Sequence, residues 1–410
     1  MEENLKPEVR PQAWIEIDLD AVVENYRQVI AYAEAACRSP RRPPRCMAVV
    51  KADGYGLGAE AVARSLARAG CDAFAVTTVE QGLHLRRAGL EGLILVLGPS
   101  GEESWPAAQA AGLALSISGS RQLQALEAFE ADRQRPPLAL HLEIETGMGR
   151  TGFTLAELQV ALPTLSTLQH AAVEGVYTHF ARAAQNDRAY TAAQYARFRE
   201  AVACLEGAGL KPALQHVCNS AAFLAHPDYH LDMVRIGTLL VGHVPAPRFA
   251  GYLRLADPWT AKARVLSLKR VPAGTRVGYQ STYRTRNSTQ LAVIGLGYAD
   301  GFMAGPRLTP QGWIDLAKIT VKNLCALLRI PIATGEKITL HGQPVLIAGK
   351  VGMELTVLDV RDLECEIGQE VVVPLRRTGA AAHLARFYRE QGQWTCRRQA
   401  GARREEIEFL

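Results

Sequence analysis

The sequence predicts an α/β protein: an N-terminal (β/α)8 barrel over residues 13–254, followed by a mostly β domain over 255–410. Two observations carry this. Between about Trp14 and Gly242, eight short apolar runs alternate with amphipathic stretches, and strand–helix alternation repeated eight times argues for parallel strands closing on themselves. After Asp257-Pro258 the texture changes to short β-type runs punctuated by glycine and proline.

The eight runs are Met47–Val50, Ala73–Val76, Leu93–Leu97, Leu113–Ile117, Leu138–Ile144, Ala172–Tyr177, Leu214–Val217 and Met233–Ile236. Between the first two, Ala61, Val62, Leu66 and Ala69 recur at helical three- and four-residue steps. A second long helix is expected over Ala189–Glu206. A doubly wound sheet is the competing architecture; the count of eight, with polar motifs after many of the strands, favours the barrel. In the second domain the runs are Val265–Leu268, Val277–Tyr279, Leu291–Leu296, Ile338–Leu340, Val345–Ile347, Leu355–Val360 and Val371–Val373.

Composition narrows the function classes. The chain has 410 residues, 48% hydrophobic and 21% charged, enough to bury a large core. Its net charge is +5, but the arginine-rich stretches at 38–45 and 397–404 have no interleaved aromatics. They read as solvated surface, so no nucleic-acid partner is expected. The eight cysteines form no CxxC pair and lack zinc spacing, so no metal is expected, and buried free thiols in a reducing compartment are the simplest reading. The N-terminus is polar and no run of 18 apolar residues occurs, so the expectation is a soluble cytoplasmic protein with no membrane partner.

Barrel enzymes place their chemistry where strands end and βα loops begin. The first run ends AVVKADGYGLG, putting Lys51 at the strand end and Tyr55 among three glycines. A lysine there can form a Schiff base with an aldehyde cofactor, and a glycine-rich loop entering a helix offers backbone donors to a phosphate. A snorkelling lysine beside a glycine turn is the plain alternative. The fifth run ends HLEIETGMGRTG: His141, Glu143 and Glu145 share one side by their two-residue spacing, and Arg150 follows in the Gly-Met-Gly turn. His179 ends the sixth run, His216 lies in the seventh, and Asn219-Ser220 ends it, able to cap a helix or hold a phosphate. Arg235 lies inside the apolar eighth run, where an arginine pointing into a barrel is costly unless paired.

Together these segments resemble the alanine racemase family, the type III fold of pyridoxal-phosphate enzymes. The resemblance rests on AVVKADGYGLG, IETGMGRTG, YTHFA, HVCNSA, VRIGT, VGYQSTY, GLGYADG and GKVGMELTVLDV, in the family's order over roughly residues 14–375. It implies pyridoxal 5′-phosphate as cofactor, a small amino-acid substrate and a homodimer with shared active sites. It also implies that the segment 1–12 packs as a strand with the C-terminal domain. Lys51 would carry the cofactor and act as one acid/base, and Tyr279 of the partner subunit would act as the other from the opposite face. Racemisation needs that pair, because the Cα proton must leave one face and return on the other.

By the same resemblance, Arg235 bonds the pyridine nitrogen, and His179 and His216 orient Arg235. Tyr55, Ser220, Gly237 and Thr238 cradle the phosphate, and Asn219 belongs to the cofactor-binding set. Arg150 faces the cofactor phenolic oxygen and the substrate carboxylate, and Tyr298 with Met353 walls the pocket. A guanidinium only donates hydrogen bonds, so it keeps the ring nitrogen unprotonated and weakens the electron sink.

The sequence departs from the family pattern in five places. Glu143 stands where many members have a carbamylated lysine, and is expected to hold Arg150 as an anion. Val241-Gly242 replaces a Tyr-Gly pair, Met353-Glu354 replaces Met-Asp, and the tail near Gly401 lacks a phosphate-binding tyrosine. The connection 302–335 is also longer than usual. Racemisation of serine or of several amino acids, decarboxylation of a basic amino acid, and non-catalytic cofactor binding are the other readings. Arg235 argues against decarboxylation, and the β domain with Tyr279 argues against a mere binder.

Overall fold

The structure is a computed structural model. It describes residues 11–37, 42–129, 134, 136–303, 337–361, 363–400 and 403–408, with scattered positions between 313 and 324. The chain divides into two compact units, 18–258 and 1–17 with 259–410.

The first strand, β1 (Ala13–Asp18), belongs to the second of these. It pairs antiparallel with β10 (Trp259–Val271), from Ala13↔Ala263 to Ile17↔Trp259. The N-terminal strand expected over 1–12 falls mostly outside the described residues. The strand seen here instead starts at Ala13, in a stretch the sequence reading gave to the barrel, because its partner lies some 250 residues along the chain and leaves no local trace.

Unit 18–258 opens with α1 (Leu19–Ala36), whose N-terminus is capped by Asp18 accepting from Ala21 N at 3.1 Å. Its buried face is Leu19, Val22, Asn25, Tyr26, Val29 and Ala33, a helical period. There follow β2 (Arg45–Val49), α2 (Lys51–Tyr55), α3 (Ala59–Arg68), β3 (Ala73–Val76), α4 (Val79–Arg87), β4 (Leu93–Val96), α5 (Trp105–Ala110) and β5 (Ala114–Ile117). Then come α6 (Ser120–Glu127), β6 (Leu138–Glu143), α7 (Leu155–Thr167), β7 (Ala171–Tyr177), α8 (Arg188–Gly207), β8 (Leu214–His216), α9 (Ser220–Ala225) and β9 (Met233–Ile236).

All eight barrel strands coincide with the apolar runs read from the sequence. They pair in parallel in the order β8-β7-β6-β5-β4-β3-β2-β9. Between β8 and β9 the ring is joined by Asp232 N→Gln215 O at 3.2 Å and Arg235 N→Cys218 O at 2.9 Å.

The barrel interior follows from the two-residue period of a strand. Met47, Val49, Ala73, Ala75, Leu95, Ala114 and Met233 form one buried cluster, with Ala139 and Leu214 packed against it. Two residues further along the same strands, on the same faces, come Lys51, His141, His216 and Arg235. An apolar layer thus supports a polar one at the C-terminal end of the strands.

In the other unit, β10 is a 13-residue strand with a bulge between Val265 and Ser267. Its first part pairs with β1 and β18 (Glu370–Val373), and its second with β13 (Thr289–Ile294). β13 continues to β17 (Thr356–Asp359). This is the mostly β texture the sequence predicts. The extended connection 302–335 and the tail around Gly401 lie largely outside the described residues.

Candidate active site

The chain leaves β2 through an unusual turn. Ala52, Asp53 and Gly54 have φ/ψ of 51/49, 53/51 and 62/38, and Tyr55 has φ 58. A non-glycine residue in this left-handed region costs on the order of 1–2 kcal/mol. The turn is held by Gly54 N→Val50 O and Gly56 N→Ala52 O, and the Asp53 carboxylate caps α3 by accepting from Ala59 N at 2.8 Å. Its effect is to hold Lys51 at the strand end and send Tyr55 across the barrel mouth.

Tyr55 arrives at Gly237. A Cβ at position 237 would lie 2.2 Å from the Tyr55 hydroxyl, so any larger residue there would displace the Tyr55 ring. Gly237 N also donates to Ser220 Oγ at 3.2 Å. Two hydroxyls and a backbone amide from three elements therefore converge. Asn219 caps α9 through Ala222 N→Oδ1 at 3.0 Å, while its amide reaches Phe180 O at 3.1 Å and His179 Nε2 at 3.4 Å.

Arg235 is buried and its donors are closely placed. Nη1 lies 2.8 Å from His216 Nδ1 and 2.7 Å from His216 O. Nη2 lies 2.7 Å from Thr178 O and 3.4 Å from Val217 O. The guanidinium also stands 5.0 Å from the Tyr177 ring centroid. Of its five N–H groups, only that of Nε has no acceptor among the described residues. His216 bonds onward to His141 at 2.8 Å and stacks on Tyr177 at 4.9 Å. Burial first, then Arg235, hold the pKa values of His216 and His141 down, His141 to about 3.

His179 differs from its expected place. It lies two residues past the end of β7 at Tyr177, and its ring reaches Asn219 rather than bonding to Arg235. Burial, then Arg235, Arg150 and Lys51, hold it to about 3. Lys51 is half-buried, and burial, then the Arg150 and Arg235 cations, pull its ammonium below the ordinary lysine value.

Arg150 Nη2 lies 3.6 Å from Glu143 Oε1, an ion pair between a half-exposed guanidinium and a carboxylate only 3% exposed. Glu145 does not share that inward role. β6 ends at Glu143, and Glu145 turns onto the loop that follows, accepting from the backbone N–H groups of Gly147, Met148, Gly149 and Arg150. Sequence reasoning missed this, as it missed the Asp53 cap and the Tyr177 stack. The acid two residues before a Gly-x-Gly turn was the available signal for the first.

In the β unit, Tyr279 follows Gly278 in a tight turn and is 77% exposed. Tyr298 and Met353, 52% and 59% exposed, sit on segments joined by Tyr298 N→Gly352 O and Ala299 N→Met353 O. Asp300 fastens the same turn by accepting from Gly297 N and His383 Nε2, each at 2.8 Å. Among the described residues no group of His, Cys, Asp and Glu is placed to hold a metal ion, and no helix is long and apolar enough to cross a membrane.

Known proteins are similar to this chain in sequence and in fold. The family model described as "Alanine racemase, N-terminal domain" matches residues 17–245, and "Alanine racemase, C-terminal domain" matches 259–393. The chain is 36% identical to an alanine racemase of Symbiobacterium thermophilum over 93% of this chain and 97% of that one. It is 34% identical to one of Carboxydothermus hydrogenoformans over 89% and 97%. Among solved structures, an alanine racemase of Clostridium difficile matches at TM-score 0.80 and 25% identity, over 94% of this chain and 98% of that one. One of Bacillus anthracis with bound L-Ala-P matches at TM-score 0.77 and 26%, over 97% and 98%.

Proposed function

This chain belongs to the alanine racemase family, and from that premise we propose that it interconverts L- and D-alanine with pyridoxal 5′-phosphate, through Lys51 and Tyr279 of the partner subunit. The observation that carries the reading is Arg235: it is buried, its Nη donors are taken up by His216, Thr178 and Val217, and one N–H remains for an acceptor. A pyridine nitrogen kept unprotonated is such an acceptor.

The residues present fit the cofactor. Tyr55, Ser220 and the Gly237 amide, with Thr238 beside them, form a donor cluster suited to a phosphate, and Asn219 holds the start of α9 in place. His179, kept neutral, lines the same mouth. Lys51, with its lowered pKa, is an amine able to capture an aldehyde. When bound, the cofactor supplies an electron sink that acidifies the Cα–H bond of an attached amino acid.

Lys51 takes or gives the proton on one face and Tyr279 on the other. Arg235, which only donates, keeps the sink weak and so favours return of the proton over other fates. Arg150, with Glu143 beside it, holds the substrate carboxylate, and Tyr298 and Met353 limit the side chain to about a methyl group. A second copy of the chain brings Tyr279, Tyr298 and Met353 to this site. The exposure of all three in the single chain supports that homodimer. A cytoplasmic location is part of the same proposal.

The test is proton NMR of L- and D-alanine in deuterated buffer with cofactor-loaded enzyme. Both enantiomers should lose the Cα proton signal, and chiral chromatography of the same samples should show both converging on one mixture. Lys51→Ala should abolish exchange, and Tyr279→Phe should slow it strongly. Exchange without inversion, or none from either enantiomer, refutes the proposal.

A further inference from the structure

We propose that His141 is a positioning residue of the reaction: it accepts the Nε2–H of buried His216 and so stabilises the tautomer whose bare Nδ1 Arg235 requires. The inference rests on the reading of Arg235 given above.

The direction of each bond is forced by the one at its root. A guanidinium has no acceptor, so the 2.8 Å contact from Arg235 Nη1 requires a lone pair on His216 Nδ1. A neutral His216 then carries its proton on Nε2. That nitrogen lies 2.8 Å from His141 Nδ1, which must accept, leaving the His141 proton on its own Nε2. The chain of donors therefore runs outward from Arg235 through His216 to His141, and ends on a buried His141 Nε2–H with no hydrogen-bond partner. Reversing any link would place two donors against each other. Protonating either ring would do the same, and burial together with the neighbouring cations Arg235 and Arg45 keeps His141 neutral.

The fold makes room for this ring at one position. His141 on β6 is paired with Gly175 on β7, immediately after a bulge that passes from Leu140↔Val173 to His141↔Gly175. A Cβ at position 175 would lie 2.3 Å from His141 Nδ1 and 2.4 Å from Cε1. The bulge and the missing side chain together admit an imidazole flat enough to reach His216. Among the described contacts neither His141 nor Gly175 hydrogen-bonds to Tyr55, Ser220 or Gly237. Their effect on the reaction passes through His216 and Arg235.

The experiment uses full-length protein labelled with 15N at histidine, read by long-range proton–nitrogen correlation before cofactor is added, and then kinetics after loading. Wild-type His216 should show a protonated Nε2 and a bare Nδ1. His141→Leu should lose the low-field Nε2–H resonance and lower kcat about tenfold with little change in KM. His141→Gln, whose amide oxygen can accept the same proton, should restore most of both. Gly175→Ala displaces the ring without touching its chemistry and should reproduce the His141→Leu spectrum, which covers the case in which His141→Leu fails to fold.

A wild-type His216 protonated at Nδ1 overturns the relay. So does a His141→Leu or Gly175→Ala protein with wild-type spectrum and kcat. The expected tautomer in a protein that exchanges no alanine α-proton overturns the functional reading instead, and leaves the relay standing.

Discussion

Arg235 Nη1 stands 2.8 Å from Nδ1 of His216 and 2.7 Å from the carbonyl oxygen of the same residue, so one histidine receives both hydrogens of one guanidinium nitrogen. The grip uses Nη1 alone, which leaves Nη2 and Nε of the planar guanidinium for other partners. It is reinforced by Thr178 O at 2.7 Å and by the face of Tyr177.

Arg235→Lys is therefore expected to be a severe change despite keeping the charge. A single ammonium cannot meet His216 Nδ1, His216 O and Thr178 O and still leave a donor for the cofactor. Each buried bond to a charged group is worth about 1.5–3 kcal/mol, so kcat/KM should fall on the order of 10²-fold. Steady-state racemisation assays check this, with far-UV circular dichroism to confirm folding. Activity within a few-fold of wild type would contradict it.

Glu143→Gln keeps the shape of the side chain and removes its charge. Arg150 is half exposed and the separation is 3.6 Å, so the pair is weakened by solvent. The expected loss is about three- to tenfold in kcat/KM, carried mainly by KM for alanine, because Arg150 is proposed to hold the substrate carboxylate. An unchanged KM would show that Arg150 is positioned by its loop alone.

In the proposed reaction Lys51 captures the cofactor aldehyde, which requires a free amine. Its pKa is lowered by burial and then by Arg150 and Arg235, so capture should rise with pH and level off below the ordinary lysine value. Removing a neighbouring cation raises that pKa. In Arg150→Leu the midpoint should move to higher pH, measured as the rate of visible absorbance gain when apo-enzyme meets cofactor. A midpoint that stays or moves down would refute the electrostatic assignment.

His141 and His179, held to about 3, and His216, held well below its ordinary value, are neutral when folded. Unfolded, each takes up a proton near 6.5. Below that pH the unfolded chain binds more protons, so stability is fully present above about 6.5 and is lost as pH falls toward 3. Each histidine adds a slope approaching about 1.4 kcal/mol per pH unit in that window. Chemical unfolding of apo-enzyme between about pH 4.5 and 7.5 should show it, and His141→Gln should flatten the slope by about one proton.

The barrel was legible because its strands are covered on both faces and read as uninterrupted apolar runs. Arg235 was legible for the complementary reason, as a lone charge within one of them. The remaining features depend on distant partners. Nothing in Ala13–Asp18 says that it pairs with β10. The bulge before Gly175 shifts the two-residue alternation of β7, so Val173 pairs with outward-facing Leu140 although it has the same parity as Gly175 and Tyr177. Counting by twos along the sequence cannot detect such a shift. The left-handed run from Ala52 to Tyr55 was hidden because only one of its four residues is glycine.

Glu145 spends its carboxylate on four consecutive backbone amides of the loop that carries Arg150. That loop is thus frozen when the chain folds, not when a substrate arrives. The conformational entropy of the segment is charged against the stability of the barrel and is absent from the free energy of association. A carboxylate bound by Arg150 as proposed would meet a fixed shape, and what it would lose on binding is chiefly its own freedom to tumble.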